Sequence, residues 1–345
     1  MAKRTLDSAK NGKKDEFYTQ LSDIEKEIRH YKDQLKDKVI FCNCDDPEES
    51  NFFKFFVLQF EFLGIKKLIS THFKESQPSY KLEVTKQNLD KVRLFDQIDI
   101  DENAKILLEQ NGDFRSGECV ELLKESDIII TNPPFSLFRE YVAQLMKYKK
   151  KFLIIGNQNA ITYKEVFELI RKNKIWLGYH NNQSFVYKTP YPNKLESNRK
   201  FVIQKGYNPD EGYVKVPAIN WYTNLDISKR NDELTLYKVY SEAEFPMYDN
   251  YDAINVDKVV EIPTNYLGKI GVPITYLDKY NPKQFEIVGL SRYIETQGMS
   301  QKFVDKYYKT GQTGSISEGH PDLCYYDSTG KPVVPYMRII IRKKV

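Results

Sequence analysis

Cysteine and histidine are both scarce in this chain, with four of each in 345 residues. Four thiols exclude a disulfide framework in a chain this long. Cys42 and Cys44 are too close together for a usual zinc site without a second pair, and Cys119 and Cys324 stand alone. His30, His72, His180 and His320 show no ligand spacing either. The expectation is a reduced, cytoplasmic protein with no structural metal. Long apolar runs are missing too. Nothing approaches the roughly 18 residues that a membrane span needs, and the polar, charged N-terminus predicts no signal peptide. Neither sign of charge dominates. With 52 basic and 48 acidic side chains the net charge is only +4. That excludes capture of a polyanion by bulk charge and leaves room for a local basic groove on a mixed surface. Tryptophan is rare, at 2 residues, while Tyr (25) and Phe (20) are plentiful. Aromatic cores and stacking surfaces are both open readings of that excess.

What is present is a sequence of short apolar runs with helical stretches between them. Residues 1–14 carry Lys3, Arg4, Lys10, Lys13 and Lys14 against Asp7, a basic arm with no apolar run to fold around. Residues 20–37 place Leu21, Ile24, Ile28, Tyr31 and Leu35 near helical spacing. Val39–Cys42 predicts a buried strand, followed by an aromatic helix over 50–62. Lys67–Ser70 predicts a second strand and 80–95 a weaker segment. Asp127–Thr131 predicts another strand, with a helix over 136–148. Phe152–Gly156 is followed by a helix over 162–172 and a strand over 175–179. Strand and helix alternating over 39–180 require crossover connections, hence an α/β fold with a mostly parallel sheet covered on both faces. Ligands bind such sheets beyond the carboxyl ends of the strands. After about residue 180, Gly, Asn and Pro punctuate the chain every few residues, and Val214–Ile219 and Leu234–Val239 predict antiparallel strands. Residues 289–320 hold Gly289, Gly298, Gly311, Gly314 and Gly319, which predicts a loop-rich, mobile segment.

The chemistry is concentrated in Asn132-Pro133-Pro134-Phe135, directly after a β-branched strand end. Two prolines fix the backbone and remove two N–H groups, so the carbonyls there are acceptors. Asn132 adds a side-chain acceptor. A pair of acceptors suits the two hydrogens of a planar amine, and holding both localises the nitrogen lone pair for attack. Phe135 can stack on the ring that bears the amine. At these residues the sequence resembles the S-adenosyl-L-methionine-dependent amino-methyltransferases, whose fourth motif reads (Asn/Asp/Ser)-Pro-Pro-(Tyr/Phe). The resemblance implies a Rossmann-like, mostly parallel seven-stranded sheet. Asn in the first position fits N6 of adenine better than N4 of cytosine. The same motif is shared with enzymes acting on RNA bases and on a glutamine side chain, so it implies a reaction class.

Further motifs narrow the resemblance. Glu16-Phe17-Tyr18-Thr19-Gln20 is similar to the Phe-Tyr-Thr-Pro element of adenine DNA methyltransferases, with Gln20 in place of Pro. Cys42-Asn43-Cys44-Asp45-Asp46-Pro47 stands where the wider family has a glycine-rich loop, and no glycine occurs between Lys38 and Leu63. With Ser50-Asn51-Phe52-Phe53 and Leu277-Asp278-Lys279-Tyr280-Asn281-Pro282, the chain over roughly 15–340 resembles the EcoRI-type adenine-specific DNA methyltransferases. The resemblance implies a sequence-specific adenine N6-methyltransferase, with S-adenosyl-L-methionine as cofactor and double-stranded DNA as partner. It leaves room for a cognate restriction endonuclease acting on the same site. It divides the chain into the arm 1–14, a methyltransferase core over 15–225 and a target-recognition region over 226–345. By carry-over, Asn132, Pro133, Pro134 and Phe135 are catalytic. Phe17, Tyr18, Thr19, Asn43, Asp45, Asp46, Asp113 and Phe114 are cofactor candidates, with Asn43, Asp45 and Asp46 either meeting the amino and carboxyl end or shaping the loop. Phe185 is a candidate for the flipped base. Arg292, Gln297, Lys302 and Lys306 are candidates for DNA. Two rivals remain at this point. One is a methyltransferase for amines of RNA or protein. The other is an inactive DNA-binding relative, which the missing glycine loop favours.

Overall fold

The computed structural model describes residues 18–73, 79–94, 97–188 and 196–344. The chain divides into two compact units, residues 1–160 with 175–227, and residues 161–174 with 228–345. In the first unit the apolar runs become strands β1 (Val39–Cys42), β2 (Lys67–Thr71), β3 (Tyr80–Val84), β4 (Ile128–Thr131), β5 (Lys151–Asn157), β6 (Gln183–Lys188) and β7 (Tyr213–Thr223). Their order across the sheet is β3-β2-β1-β4-β5-β7-β6. The two-residue strands Tyr18–Thr19, Ile106–Leu107 and Trp176–Leu177 bring the sheet to ten strands. The expected Rossmann-like α/β sheet is thus present, with seven strands of four residues or more. Its centre, β2-β1-β4-β5, is parallel. The flanks are antiparallel: β3 pairs with β2 in that sense, and β5 is met by β7 and its partner β6.

Both faces of the centre are covered, as continuous apolar strands require. Ile40, Cys42, Leu68, Ile128, Ile130, Leu153 and Ile155 share one core with Ile24, Ile28, Phe52, Phe53 and Phe56. Those partners lie on helices α1 (Leu21–Ile28) and α2 (Asn51–Leu58). The alternate residues Phe41, Ile69, Ile129, Phe152 and Ile154 are buried as well. Helices α3 (Gly117–Glu125) and α4 (Phe138–Lys147) pack against β1 and β5 respectively. From β1 the chain moves outward to β2 and later returns to lay β4 on the other side of β1. The sheet order therefore reverses between β1 and β4, and the loops that leave their carboxyl ends part there.

Predicted helices are shorter than their periodicity. The 20–37 stretch is α1, one 3-10 turn at Arg29–Tyr31 and a last turn at Lys32–Leu35. The 50–62 stretch breaks at Gln59, and Gly64 in the left-handed region closes the second piece. The 162–172 stretch becomes α5 (Lys164–Arg171), and Glu196–Gln204 forms α6.

The second unit is built on a sheet of four strands, β8 (Ile254–Asn255), β9 (Ile270–Pro273), β10 (Phe285–Leu290) and β11 (Arg338–Lys343), in the order β8-β9-β11-β10. The apolar run Ile339–Ile341, fully buried, forms the middle of its central strand β11. Helix α5 packs against β10. Helix α7 (Gln301–Lys309) buries Phe303, Val304 and Tyr307 with Met299 and Cys324. The predicted strand Leu234–Val239 is not one. Its exposure alternates with period two, yet it joins no sheet among the described residues, and Lys238 makes only an isolated bridge to Pro263. A proline has no N–H to extend a ladder. The Gln284 side-chain amide instead donates to the Leu234 carbonyl (2.8 Å) and accepts from its N–H (2.9 Å).

Candidate active site

The loop after β1 has no glycine because side chains, rather than close backbone packing, hold it. Asp45 is at its centre and is only 6% exposed. Its Oδ1 accepts from Ser50 Oγ (2.8 Å), and the same hydroxyl accepts the Phe52 N–H (3.0 Å) and so caps α2. Its Oδ2 accepts from the Thr131 hydroxyl and from the Asn132 N–H (3.4 Å). Thr131 Oγ1 in turn accepts the Cys44 N–H (3.2 Å). Ser70, from β2, donates to the Asp45 carbonyl (2.8 Å). The first loop is therefore tied to β2, to α2 and to the last residue of β4. Burial pushes the Asp45 carboxyl up to about 6, against the Thr131, Ser50 and Asn132 hydrogen bonds that favour its charge.

Asn132-Pro133-Pro134-Phe135 leaves the carboxyl end of β4 beside this loop. Pro133 is buried, and Asn132, Pro134 and Phe135 are half-buried. The Pro134 carbonyl accepts the Leu137 N–H (3.0 Å) and closes the turn that leads into α4. Phe135 packs against the main core cluster.

Around these two loops lie most of the cofactor candidates. Asn43 is 2% exposed and its Oδ1 accepts from the Tyr141 hydroxyl, on α4. Burial raises the Tyr141 phenol well above its ordinary range, so it remains a donor. Asn43 Nδ2 is buried with no partner among the described residues. The Phe114 ring meets Tyr141 edge-on at 5.1 Å, and its carbonyl accepts from Gln144 Nε2 (2.9 Å). Asp113 receives the Arg115 guanidinium through Nε (2.8 Å) and Nη2 (2.6 Å). Burial raises its carboxyl, the Arg115 hydrogen bonds outweigh that, and the net shift is downward. Gly112, at φ +77°, lies so close to β2 that a Cβ would stand 1.9 Å from the His72 carbonyl oxygen. The Asp46 carboxylate lies 3.4 Å from His72 Nε2, and His72 stacks on Tyr80 at 4.9 Å.

The Tyr18–Thr19 strand pairs with β6, and the Thr19 carbonyl accepts from Asn51 Nδ2 (2.8 Å) at the start of α2. That fastens this element to the start of α2, into which the first loop runs. Phe17 and the arm 1–14 lie outside the described residues, as does the side chain of Tyr18. Phe185 is 2% exposed, with its ring packed inside the main core cluster. In the second unit Arg292, Gln297, Lys302 and Lys306 are all exposed. Lys306 lies 4.8 Å from the centre of the Tyr326 ring. The segment 289–320, expected to be loop-rich and mobile, contains helix α7 and is fastened at its end. The Met299 N–H donates to the His320 carbonyl and the Gly319 N–H to the Met299 carbonyl, each at 2.9 Å. A Cβ on Gly298 would stand 2.8 Å from Gly319 Cα.

Sequence reading missed Ser50, Ser70, Thr131 and Tyr141. Thr131 had a signal, a hydroxyl at the end of an all-Ile strand. Tyr141 had none, since it falls on the apolar stripe of α4 with Phe138, Val142 and Leu145.

The residues fit a zwitterionic nucleoside with an amino-acid tail. Asn43 Nδ2, buried with no partner among the described residues, the Asp46 carboxylate beside His72, the Asp113 carboxylate beside Arg115 and the buried Phe114 ring lie along one sheet end.

Comparison with known proteins agrees with this chemistry. The profile of the family described as adenine-specific methyltransferase EcoRI matches residues 5–344. The chain is 44% identical over 317 residues to the Type II methyltransferase M.EcoRI of Escherichia coli, covering 86% of this chain and 92% of that one. It is 39% identical over 289 residues to the Type II methyltransferase M.MpnI of Mycoplasma pneumoniae, covering 81% and 83%. It is 38% identical over 284 residues to the Type II methyltransferase M.MgeORF184P of Mycoplasma genitalium, covering 81% and 84%. No solved structure matches.

Proposed function

The chain belongs to the EcoRI family of adenine-specific methyltransferases, and from that premise we propose that it methylates N6 of an adenine rotated out of duplex DNA. The observation that carries this reading is the place of Asn132–Phe135, at the carboxyl end of β4 and hydrogen-bonded to the first loop at Asp45. An amine inside a base pair is out of reach, so the nucleotide must leave the stack. Asn132 and the Pro133 carbonyl accept its two N–H hydrogens, since the Pro134 carbonyl is engaged in the turn. Phe135 stacks on the purine. Bound nearby, S-adenosyl-L-methionine supplies an electrophilic sulfonium methyl group. Asn43, Asp46, Asp113 and Phe114 are the residues that would hold it. The protein's share of the catalysis is position and pre-organised polarity, with no covalent nucleophile. Arg292, Gln297, Lys302 and Lys306 contact DNA in this reading, Arg and Gln suiting base edges and Lys suiting phosphate. A cognate endonuclease cutting the same unmethylated sequence is its natural companion.

Asn132→Ala tests the assignment. Labelled methyl transfer to duplex DNA should fall at least about 100-fold, with cofactor affinity by calorimetry nearly unchanged. Full turnover by this variant would sink the reading. The same assay with RNA and protein acceptors should give no transfer from the parent enzyme.

A further inference from the structure

The carboxylate of Asp45 looks at first like a counter-ion for the ammonium group of an amino-acid tail. Its surroundings argue otherwise. The side chain is 6% exposed, and three protein groups donate to it: Ser50 Oγ, Thr131 Oγ1 and the Asn132 N–H. Two of these donors are consecutive residues at the end of β4, and the second of them opens the Asn-Pro-Pro-Phe motif. The backbone at Asn132 cannot be fixed from the other side by an ordinary turn bond through the next two residues, because Pro133 and Pro134 have no N–H. The strand ladder stops one residue short of it. On one side β4 pairs with β5 as far as Thr131, and on the other it pairs with β1 only through Ile128 and Ile129.

We infer that Asp45 is a positioning residue: together with Thr131 it sets the backbone at Asn132, and so the aim of the amide that receives the target amine. Thr131 is the hinge of this arrangement. Its hydroxyl donates to Asp45 and accepts from the Cys44 N–H (3.2 Å), so one oxygen registers the loop after β1 against the loop after β4. The glycine-free loop thereby gains a function. A glycine loop would approach a ligand with bare backbone, whereas this one carries a carboxylate that reaches across to the neighbouring strand where the sheet order reverses. The inference rests on Asn132 being the amine acceptor, as proposed above.

Geometry and charge make opposite forecasts for Asp45→Asn. A positioning role needs acceptor oxygens in place, and an asparagine retains one. A counter-ion role needs the negative charge. Cofactor affinity is measured by calorimetry with S-adenosyl-L-methionine alone, and single-turnover methylation is measured on duplex DNA. Asp45→Ala is expected to lower the single-turnover rate at least about 30-fold, the scale of a sub-ångström misplacement, with cofactor affinity within about threefold. Asp45→Asn is expected to recover most of that rate. Thr131→Val is expected to lower it about tenfold, and Asp45→Ala should cost little more on the Asn132→Ala background, as for residues that act as one unit. Equal losses of cofactor affinity in the Asn and Ala variants would overturn the inference. So would unchanged methylation by Asp45→Ala while Asn132→Ala is inactive. Should the alanine variant fail to fold, Asp45→Asn and Thr131→Val decide between the same outcomes. If Asn132→Ala itself turns over normally, it is the parent reading that fails.

Discussion

A buried carboxylate held by three hydrogen-bond donors and by no cation among the described residues is a costly group, and Asp45 is one. Its folded-state pKa is pushed up to about 6 by burial, above the ordinary aspartate value. The folded protein therefore holds this proton more tightly than the unfolded chain does. Between about pH 4 and pH 6 that linkage makes stability fall as pH rises, and above about pH 6 the full cost of the ionised form is present. Asp45→Asn has no charge to bury. Its melting temperature relative to the parent should therefore shift in the variant's favour on going from pH 5 to pH 8, read by thermal melts at both. A pH-independent difference would mean that the carboxylate is comfortably solvated or paired. Gly112 stands at the same end of the sheet for a different reason. Its left-handed φ and the His72 carbonyl leave no space for a side chain, so the backbone of 111–113 can lie directly on β2 and hold Asp113 and Phe114 where they are.

Among the elements, the strands could be read in the sequence and their partners could not. Val39–Cys42, Lys67–Ser70, Asp127–Thr131 and Phe152–Gly156 announce themselves because a strand buried on both faces is apolar through its middle. The antiparallel pairing of β3 with β2 is invisible in that pattern, since antiparallel and parallel neighbours bury the same residues. Leu234–Val239 shows the opposite failure, with strand periodicity and no ladder. The Asn-Pro-Pro-Phe motif was legible as a string, because its chemistry lies in four consecutive residues. Thr131, the residue before it, carried a signal in its strand-end hydroxyl, whereas Ser50 and Ser70 did not, because they are far from it in sequence and are brought near it only by the fold. Helix α2 gives a test of that network. Ser50→Ala removes an N-cap, worth about 1 kcal/mol, and also strips Asp45 Oδ1 of its hydroxyl donor, worth about 1–3 kcal/mol for a buried acceptor. Urea denaturation should therefore register a loss of about 2–4 kcal/mol. A loss below about 1 kcal/mol would reduce Ser50 to an ordinary helix cap.

For the whole molecule the governing number is a net charge of +4, from 52 basic and 48 acidic side chains. A protein so nearly balanced gains little non-specific hold on DNA from its overall field. Its affinity must come from individual cations placed against phosphates, and each such contact leaves a measurable trace in salt dependence. Lys302 and Lys306 stand one turn apart on α7, both exposed, with Lys306 also beside the Tyr326 ring. If they meet phosphates, Lys302→Gln and Lys306→Gln should each weaken binding alike on target and random duplexes. Each should also lower the slope of log affinity against log salt by about 1. Arg292→Ala should behave differently. An arginine that reads a base edge contributes to discrimination, so its loss should weaken the target complex by about 1–3 kcal/mol and leave random duplex nearly untouched. Equilibrium binding across a salt series on both duplexes separates the two behaviours. Unchanged slopes in both lysine variants, with unchanged target preference in the arginine variant, would move DNA recognition away from α7 and the segment before it.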